Sequence, residues 1–470
     1  MKRITVPEPQ IDLYNDGFKS HDLLGREETG KKLSDLVERI DEPLVIALDG
    51  AWGSGKSHFL KCWVGYHKEH NENTKTVYFD AFKHDYLDDP LIALTAAIAE
   101  RLERAPQSTA AKAWQKAKNA APFLSRAALR LGTAALVGYG VSLTGDTDDM
   151  NDIGDGMANE AGELSKDLIA FWKKEDGKRA AMEAFQNGLT ELTGPLTEEQ
   201  AAALCEGHKE GTPTRKLVIV IDELDRCRPD YALQLLEIIK HFFNVPGVHF
   251  VLGVNLKELQ NSVRARYGAG VDAGTYLQKF ITLHFNLPQL GDRNRGIDAW
   301  KVYFDRRCKD SAAGEVWGNR TEQVSLLLEC LKNSEDQAER LSLRDIDRLI
   351  PVLSLVSENV SDLSIGESLV LSSLAIVKAL RPQNYPDLRA RPPGRQTFNL
   401  LFHLGFIVNQ HSREYTSGII SYAFGQPRGN LVKAQFADAF GPSGLDDHDR
   451  EVLFENLAER YLETFTLTRS

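Results

Sequence analysis

The chain has 470 residues, too many for one compact core, so two or three domains are expected. Lysine and arginine number 56 against 67 aspartates and glutamates, a formal net charge of −11. That balance excludes tight, non-specific nucleic-acid binding over the whole surface and leaves only a local basic patch, or a partner, for such a role.

The N-terminus, MKRITVPEPQIDLYNDGF, has no apolar core and no cleavage site, so no secretory signal is expected and a cytoplasmic location follows. The five cysteines (Cys62, Cys205, Cys227, Cys308 and Cys330) are odd in number and never form a CxxC pair, which argues against a zinc module and for a reduced, intracellular chain. Residues 20–40 carry apolar positions at helical spacing, and Pro43 stops that helix. LVIALDG (44–50) is a short apolar strand entering a glycine-rich turn, HFLKCWVGYHKEH after it is helical, and TVYFDAF (76–82) is a second strand. Residues 91–104 predict a further helix.

The stretch 105–212 reads as a helical insertion that contacts a partner or a membrane. Its segment 131–145, LGTAALVGYGVSLTG, is uncharged and follows Arg126 and Arg130. A membrane span needs about twenty apolar residues, so a buried helix or interdomain hairpin is the preferred reading. Membrane contact through 124–145, making the protein membrane-associated, is the alternative. KLVIVIDELD (216–225) and GVHFVLGVN (247–255) are buried strands, separated by the helix YALQLLEIIKHFF (231–243), which is apolar nearly all round. Short apolar strands alternating with helices indicate a parallel, doubly wound α/β sheet. From about residue 290 the strand signals fade into helices, including 368–380, a proline-marked loop at Pro382, Pro386, Pro392 and Pro393, and a final helix over 446–464.

Two motifs carry the chemistry. Residues 50–57, Gly-Ala-Trp-Gly-Ser-Gly-Lys-Ser, fit G-x-x-x-x-G-K-[ST] between a strand and a helix. The glycines let successive N–H groups face phosphates, and the following helix aims its positive end at the same anion. The nucleotide-contacting set is therefore Gly50, Gly53, Ser54, Gly55, Lys56, Ser57 and His58, with Lys56 against the β- and γ-phosphates and the Ser57 hydroxyl toward Mg²⁺. Downstream, LVIVIDE places Asp222 and Glu223 at the C-terminal edge of a buried strand, where open α/β sheets bind ligands. Asp222 is the candidate Mg²⁺ residue and Glu223 the candidate general base for water.

Three weaker candidates follow. Asn255, ending the strand beside those acids, is either a γ-phosphate sensor or a turn-forming asparagine. Arg226, Arg264, Arg266, Arg344 and Arg348 are candidate transition-state cations, Arg344 foremost because it opens a helix beyond the sheet. Asp80, His84, Asp85, Asp88 and Asp89 match no metal-ligand spacing and read as a solvated acidic loop.

Over roughly residues 20–350 the chain resembles the KAP-type P-loop NTPases, a branch of the STAND and AAA-like ATPases. The resemblance rests on DLLGREE, IALDGAWGSGKSHFL, FDAFKHDYLDDPLIAL, VIVIDELDRCRPDYALQLLEIIKHFF, VHFVLGVNLKEL, TYLQKFITLHFNLP and SLRDIDRL, in that order. It implies use of ATP and Mg²⁺, with phosphate binding at 50–57, Mg²⁺ ligation by Asp222 and a catalytic acid at Glu223. Glu223 stands where the family often has a second Asp, and Asn255 where it often has Asp. The family often carries membrane helices between the two nucleotide motifs, and its bacterial members are often tied to exclusion of phage and plasmids, an analogy only.

The expected fold is α/β: a P-loop NTPase parallel sheet flanked by helices, with a helical insertion and a C-terminal helical domain. The sheet domain is split over 1–104 and 213–290, the insertion is 105–212 and the helical lid and C-terminal domain is 291–470. The expected function is an ATP-driven switch or motor that assembles with partner proteins, plausibly in anti-phage defence, and an arginine acting in trans would need a homo-oligomer. A nucleotide-bound scaffold that does not hydrolyse and a membrane-associated organiser are the alternatives.

Overall fold

Strands that must be buried on both faces are apolar throughout, and three runs of this chain meet that demand. The computed structural model describes residues 4, 9–19, 21–87, 89–103, 186–203, 209–288, 299–332, 341–356, 359–390 and 447–463. Within them helix α1 (Glu27–Arg39) leads to strand β1 (Leu44–Asp49), helix α2 (Lys56–His70), strand β2 (Thr74–Asp80), the short helix α3 (Ala81–His84) and helix α4 (Pro90–Glu103). After a helical stretch at 186–193 and helix α5 (Glu198–Ala203) come strand β3 (Lys216–Asp222), helix α6 (Pro229–Phe242) and strand β4 (Val248–Val254). Helices α7 (Leu256–Tyr267) and α8 (Ala273–Leu277) then lead to strand β5 (Leu283–Asn286).

The five strands form one sheet in the order β2-β3-β4-β1-β5, every pairing parallel. This is the parallel α/β sheet expected from the alternating pattern. Every residue of β3 and β4 is buried, which is why both read as unbroken apolar runs. Leu33 and Val37 of α1 and Phe59, Leu60, Trp63 and Val64 of α2 cover one face, against Ile46, Leu48, Val218, Val220 and Val251. Side chains of α4, α6 and α7 cover the other, against Val77, Phe79, Ile219, Ile221, Phe250 and Leu252. Leu189 and Leu192, late in the stretch read as an insertion, pack into this second core. The segment 124–145 lies outside the described residues, among which no helix is long and apolar enough to cross a membrane.

Beyond the sheet, helices α9 (Ala299–Lys309), α10 (Ala313–Trp317), α11 (Thr321–Lys332), α12 (Leu343–Ser354), α13 (Ile365–Leu380), α14 (Tyr385–Ala390) and α15 (Asp447–Leu457) share a separate core around Trp300, Phe304, Trp317, Ile346 and Leu374. Ser342 and Ser364 each close a capping box at the start of α12 and α13, with Asp345 and Glu367 as the reciprocal partners.

Three local expectations change. Strand β5 has no counterpart among the expected strands: its four residues, Leu-His-Phe-Asn, sit at the sheet edge and are mostly exposed, so they carry no apolar pattern. The proline loop contains helix instead. Pro382 opens a 3₁₀ turn and Pro386 sits in the first turn of α14, positions where a missing N–H costs nothing. The acidic loop is not wholly solvated. Asp85 is 8% exposed and grips Arg228, its Oδ1 accepting from Nε at 2.6 Å and its Oδ2 from the backbone N–H at 2.8 Å.

Candidate functional site

Strand β1 ends at Asp49, between β4 and β5, and the chain turns there into residues 50–57. Gly53 and Gly55 hold φ of +77° and +83°, the left-handed region that glycine enters without strain. A Cβ at Gly50 would stand 2.9 Å from the Ser54 hydroxyl, so the loop also closes tightly on itself. The backbone N–H groups of Gly53, Gly55 and Lys56 donate to no protein group among the described residues. Together they form a concave row of donors at the start of α2, the arrangement that accepts an anion. Lys56 is 8% exposed, and its ammonium donates to the carbonyls of Gly50 at 2.5 Å and Ala51 at 3.2 Å. Burial pushes its pKa down, and the carboxylates of Asp225, Asp222 and Asp49 act against that shift.

The acids come from the adjoining strand end. Asp222 is the last residue of β3 and 1% exposed. Its Oδ2 accepts from the Tyr78 hydroxyl at 2.7 Å and its Oδ1 from the Glu223 N–H at 2.9 Å. Burial raises its pKa, opposed by those bonds and by the Ser57 hydroxyl. Glu223 has φ of 60°, the one non-glycine residue with positive φ among those described. Such backbone strain, of order 1–2 kcal/mol for a side chain with a Cβ, gathers at functional sites. Its Oε1 lies 2.9 Å from Arg226 Nη1 and 3.5 Å from the Ser57 hydroxyl. Burial raises the Glu223 pKa, with Arg226 as the main counterweight.

These groups line one cleft of about 270 Å³, together with Lys56, Ser57 and, from α12, Arg344. The cleft thus joins the two sequence motifs and two of the five candidate arginines, Arg344 and Arg226, the latter as the ion-pair partner of Glu223. His58 lines it too, its Nε2 hydrogen-bonded to the His21 carbonyl at 2.8 Å. Asn255 does not: its amide oxygen caps α7 by accepting from the Lys257 N–H at 3.2 Å. Arg264 is hydrogen-bonded to Asn261, Arg266 is paired with Asp230 and Arg348 approaches Asp345; none of the three lines the cleft.

Several site residues escape a reading of the sequence. Arg26 is 4% exposed; its guanidinium donates to the Ser54 carbonyl at 2.8 Å and the Pro288 carbonyl at 2.9 Å, tying the phosphate loop to the chain beyond β5. Asp225 accepts from the Trp52 indole at 2.6 Å, a stitch between the loop and the end of β3. Both lie in motif segments, GREE and ELDR, and that placement is the signal that could find them. Asp347 binds Arg307 at 2.7 Å and the Tyr303 hydroxyl at 3.0 Å, and all three line the cleft from the helical side. Asp347 lies in the motif segment SLRDIDRL, but nothing local marks Tyr303 or Arg307, whose meeting with it depends on how α9 and α12 pack.

The donor set suits a nucleotide and a hard cation. Unpartnered N–H groups and an ammonium meet phosphate, and a hydroxyl with two carboxylates offers the oxygen ligands that Mg²⁺ takes. Among the described residues no group of three or more His, Cys, Asp and Glu is arranged to hold a metal alone. Mg²⁺ in such sites draws most of its shell from phosphates and water, so the Ser57 hydroxyl and the Asp222 carboxylate suffice.

Residues 26–360 match the family model described as KAP family P-loop domain. No curated protein matches the chain. Among solved structures, the ORC2 protein of Aeropyrum pernix in its ADPNP-ADP complexes aligns at 12% identity over 91% of this chain and 97% of that one, with a TM-score of 0.30. Its ADP form aligns at 13% identity over 89% and 98%, with a TM-score of 0.29. Alignments that loose add nothing to the fold read from the strand order.

Proposed function

We propose that this chain, which belongs to the KAP family of P-loop domains, is a Mg²⁺-dependent ATPase whose hydrolysis switches the helical region against the sheet. One observation carries the reading: the anion-accepting loop, Lys56, the paired acids and Arg344 open into a single cleft shared by the sheet and α12.

The roles follow from position. The N–H groups of Gly53, Gly55 and Lys56 bind phosphate oxygens, and the Lys56 ammonium leaves the Gly50 and Ala51 carbonyls for the more strongly accepting anion. Ser57 and Asp222 hold Mg²⁺, which when bound supplies positive charge against the phosphate oxygens. Glu223 accepts the proton of the attacking water, with Arg226 fixing the carboxylate. Arg344 meets the charge that develops on the transferred phosphoryl group and carries that state into α12. Asn255, which caps α7 just after β4, is kept as the candidate γ-phosphate sensor. Output passes to partner proteins, in phage defence if the family analogy extends to this chain.

The test is phosphate release from ATP, with Mg²⁺ and with EDTA, by wild type, Lys56→Ala and Glu223→Gln. Turnover should need Mg²⁺. Lys56→Ala should lose nucleotide binding, and Glu223→Gln should bind but turn over about 10²–10⁴-fold slower, the contribution of a general base. A wild-type chain that binds no nucleotide sinks the proposal. One that retains ATP without turning it over favours a nucleotide-bound scaffold. Loss of phage protection on Lys56→Ala would tie the ATPase to defence.

A further inference from the structure

Asp222 is held from more sides than a strand-end acid requires. Each carboxylate oxygen takes one protein donor, Tyr78 on Oδ2 and the Glu223 N–H on Oδ1. A third side is closed by Gly253, the residue opposite Asp222 on β4. A Cβ there would stand 2.6 Å from Asp222 Oδ1 and 2.4 Å from Leu60, so only bare backbone fits. An ionised carboxylate has about four lone-pair sites, so with these two donors and the Ser57 hydroxyl beside it a site stays open for a cation. Because the donors sit on different oxygens, they also fix the rotation of the group.

The tyrosine reaches this place through register. Tyr78 of β2 stands opposite Val220 of β3, and Val220 and Asp222 project on the same face by the two-residue alternation of a strand. The step between them is roughly 6.6 Å, a distance that a phenol spans. Strand β2 is the sheet edge and is itself braced. The Tyr78 N–H donates to the Tyr14 hydroxyl at 3.2 Å, and the Arg101 guanidinium lies 3.9 Å over the Tyr14 ring while its Nε donates to the Thr76 carbonyl.

We propose that Tyr78 is a positioning residue for the cation half of the site, orienting the Asp222 carboxylate so that it can hold the divalent ion. The inference rests on the reading of Asp222 as the cation residue. Tyr78→Phe removes one oxygen and keeps the ring that packs against the sheet. Loss of a hydrogen bond that orients a metal-binding group typically costs 10–100-fold in metal affinity. Nucleotide binding without metal depends on the loop and should not change.

The experiment uses the full chain, ADP so that nothing turns over, and Mn²⁺ as the probe, with free Mn²⁺ measured by electron paramagnetic resonance. In Tyr78→Phe the Mn²⁺ Kd should rise at least tenfold, while the Kd of a fluorescent ADP analogue in EDTA stays within about twofold. In an Asp222→Asn background, Tyr78→Phe should cause no further loss of Mn²⁺ affinity. An unchanged Mn²⁺ Kd, a parallel fall in metal-free ADP binding, or an equal further loss in the Asp222→Asn background would each overturn the role. The two readings fail separately. If Asp222→Asn itself leaves Mn²⁺ binding intact, the cation assignment falls. If Asp222→Asn weakens Mn²⁺ and Tyr78→Phe does not, only the role of Tyr78 falls.

Discussion

The backbone N–H of Leu343 donates to the carbonyl of Gly53 at 3.0 Å, so α12 begins on the phosphate loop itself. Gly53 sits at φ +77°, and a Cβ there would lie 2.9 Å from the Ser342 hydroxyl and 3.0 Å from the Arg344 Cβ. Gly53→Ala therefore meets both a left-handed backbone penalty and a crowded neighbour. It should lose about 1–3 kcal/mol of stability, read by denaturant melting, and weaken binding of a fluorescent ADP analogue. A variant with wild-type stability and affinity would show that the contact carries no energy.

Arg344 is exposed on α12 and opens into the cleft, one residue beyond that contact. Arg344→Ala should lower kcat at least tenfold and leave ADP affinity within about threefold, since an arginine of this kind acts on transition-state charge. Arg344→Lys should recover little, because the planar fork is lost. Equal losses in kcat and ADP affinity would assign Arg344 to ground-state binding instead.

The Trp52 indole donates to Asp225 at 2.6 Å, and Asp225 is 7% exposed while Trp52 is 44% exposed. Asp225→Ala should cost about 1–2 kcal/mol, because a buried charge-assisted bond is lost while water can still serve the indole. Freed from the carboxylate, Trp52 should change its intrinsic fluorescence, which reports the loop directly. An emission spectrum identical to wild type would mean that the tie does not hold in solution.

His249 on β4 is fully buried, and its ring nitrogens make no hydrogen bond among the described residues. Burial, with Lys216 nearby, holds its pKa at about 4 against an ordinary 6.5. The unfolded chain therefore takes up a proton below pH 6.5 that the folded chain refuses until about pH 4. Stability contributed by the neutral ring is present above pH 6.5 and is lost as pH falls toward 4, roughly 3 kcal/mol in all. His249→Leu should flatten this slope relative to wild type in chemical denaturation at a series of pH values. Matching slopes would show that His249 does not titrate on unfolding.

How much of the fold can be read from the residues alone follows from what each element must bury. Strands β1, β3 and β4 lie inside the sheet, so their apolar runs are visible, and the loop 50–57 is visible because its glycines and lysine are fixed in spacing by the backbone itself. Strand β5 is hidden because an edge strand of four mostly exposed residues has no pattern to read. Asp85 looks like one more solvated acid because its partner, Arg228, is distant in sequence.

By itself, the order of residues determined that a phosphate loop and a strand-end pair of acids exist, since each is a local motif whose chemistry sits in adjacent positions. Only the tertiary structure decided what they become together. Strand register brought Tyr78 to Asp222, and the packing of α12 on the sheet brought Leu343 to Gly53 and Arg344 into the cleft. Each of these depends on distances between segments far apart in the chain, which parallel pairing and helix packing set and no local spacing encodes.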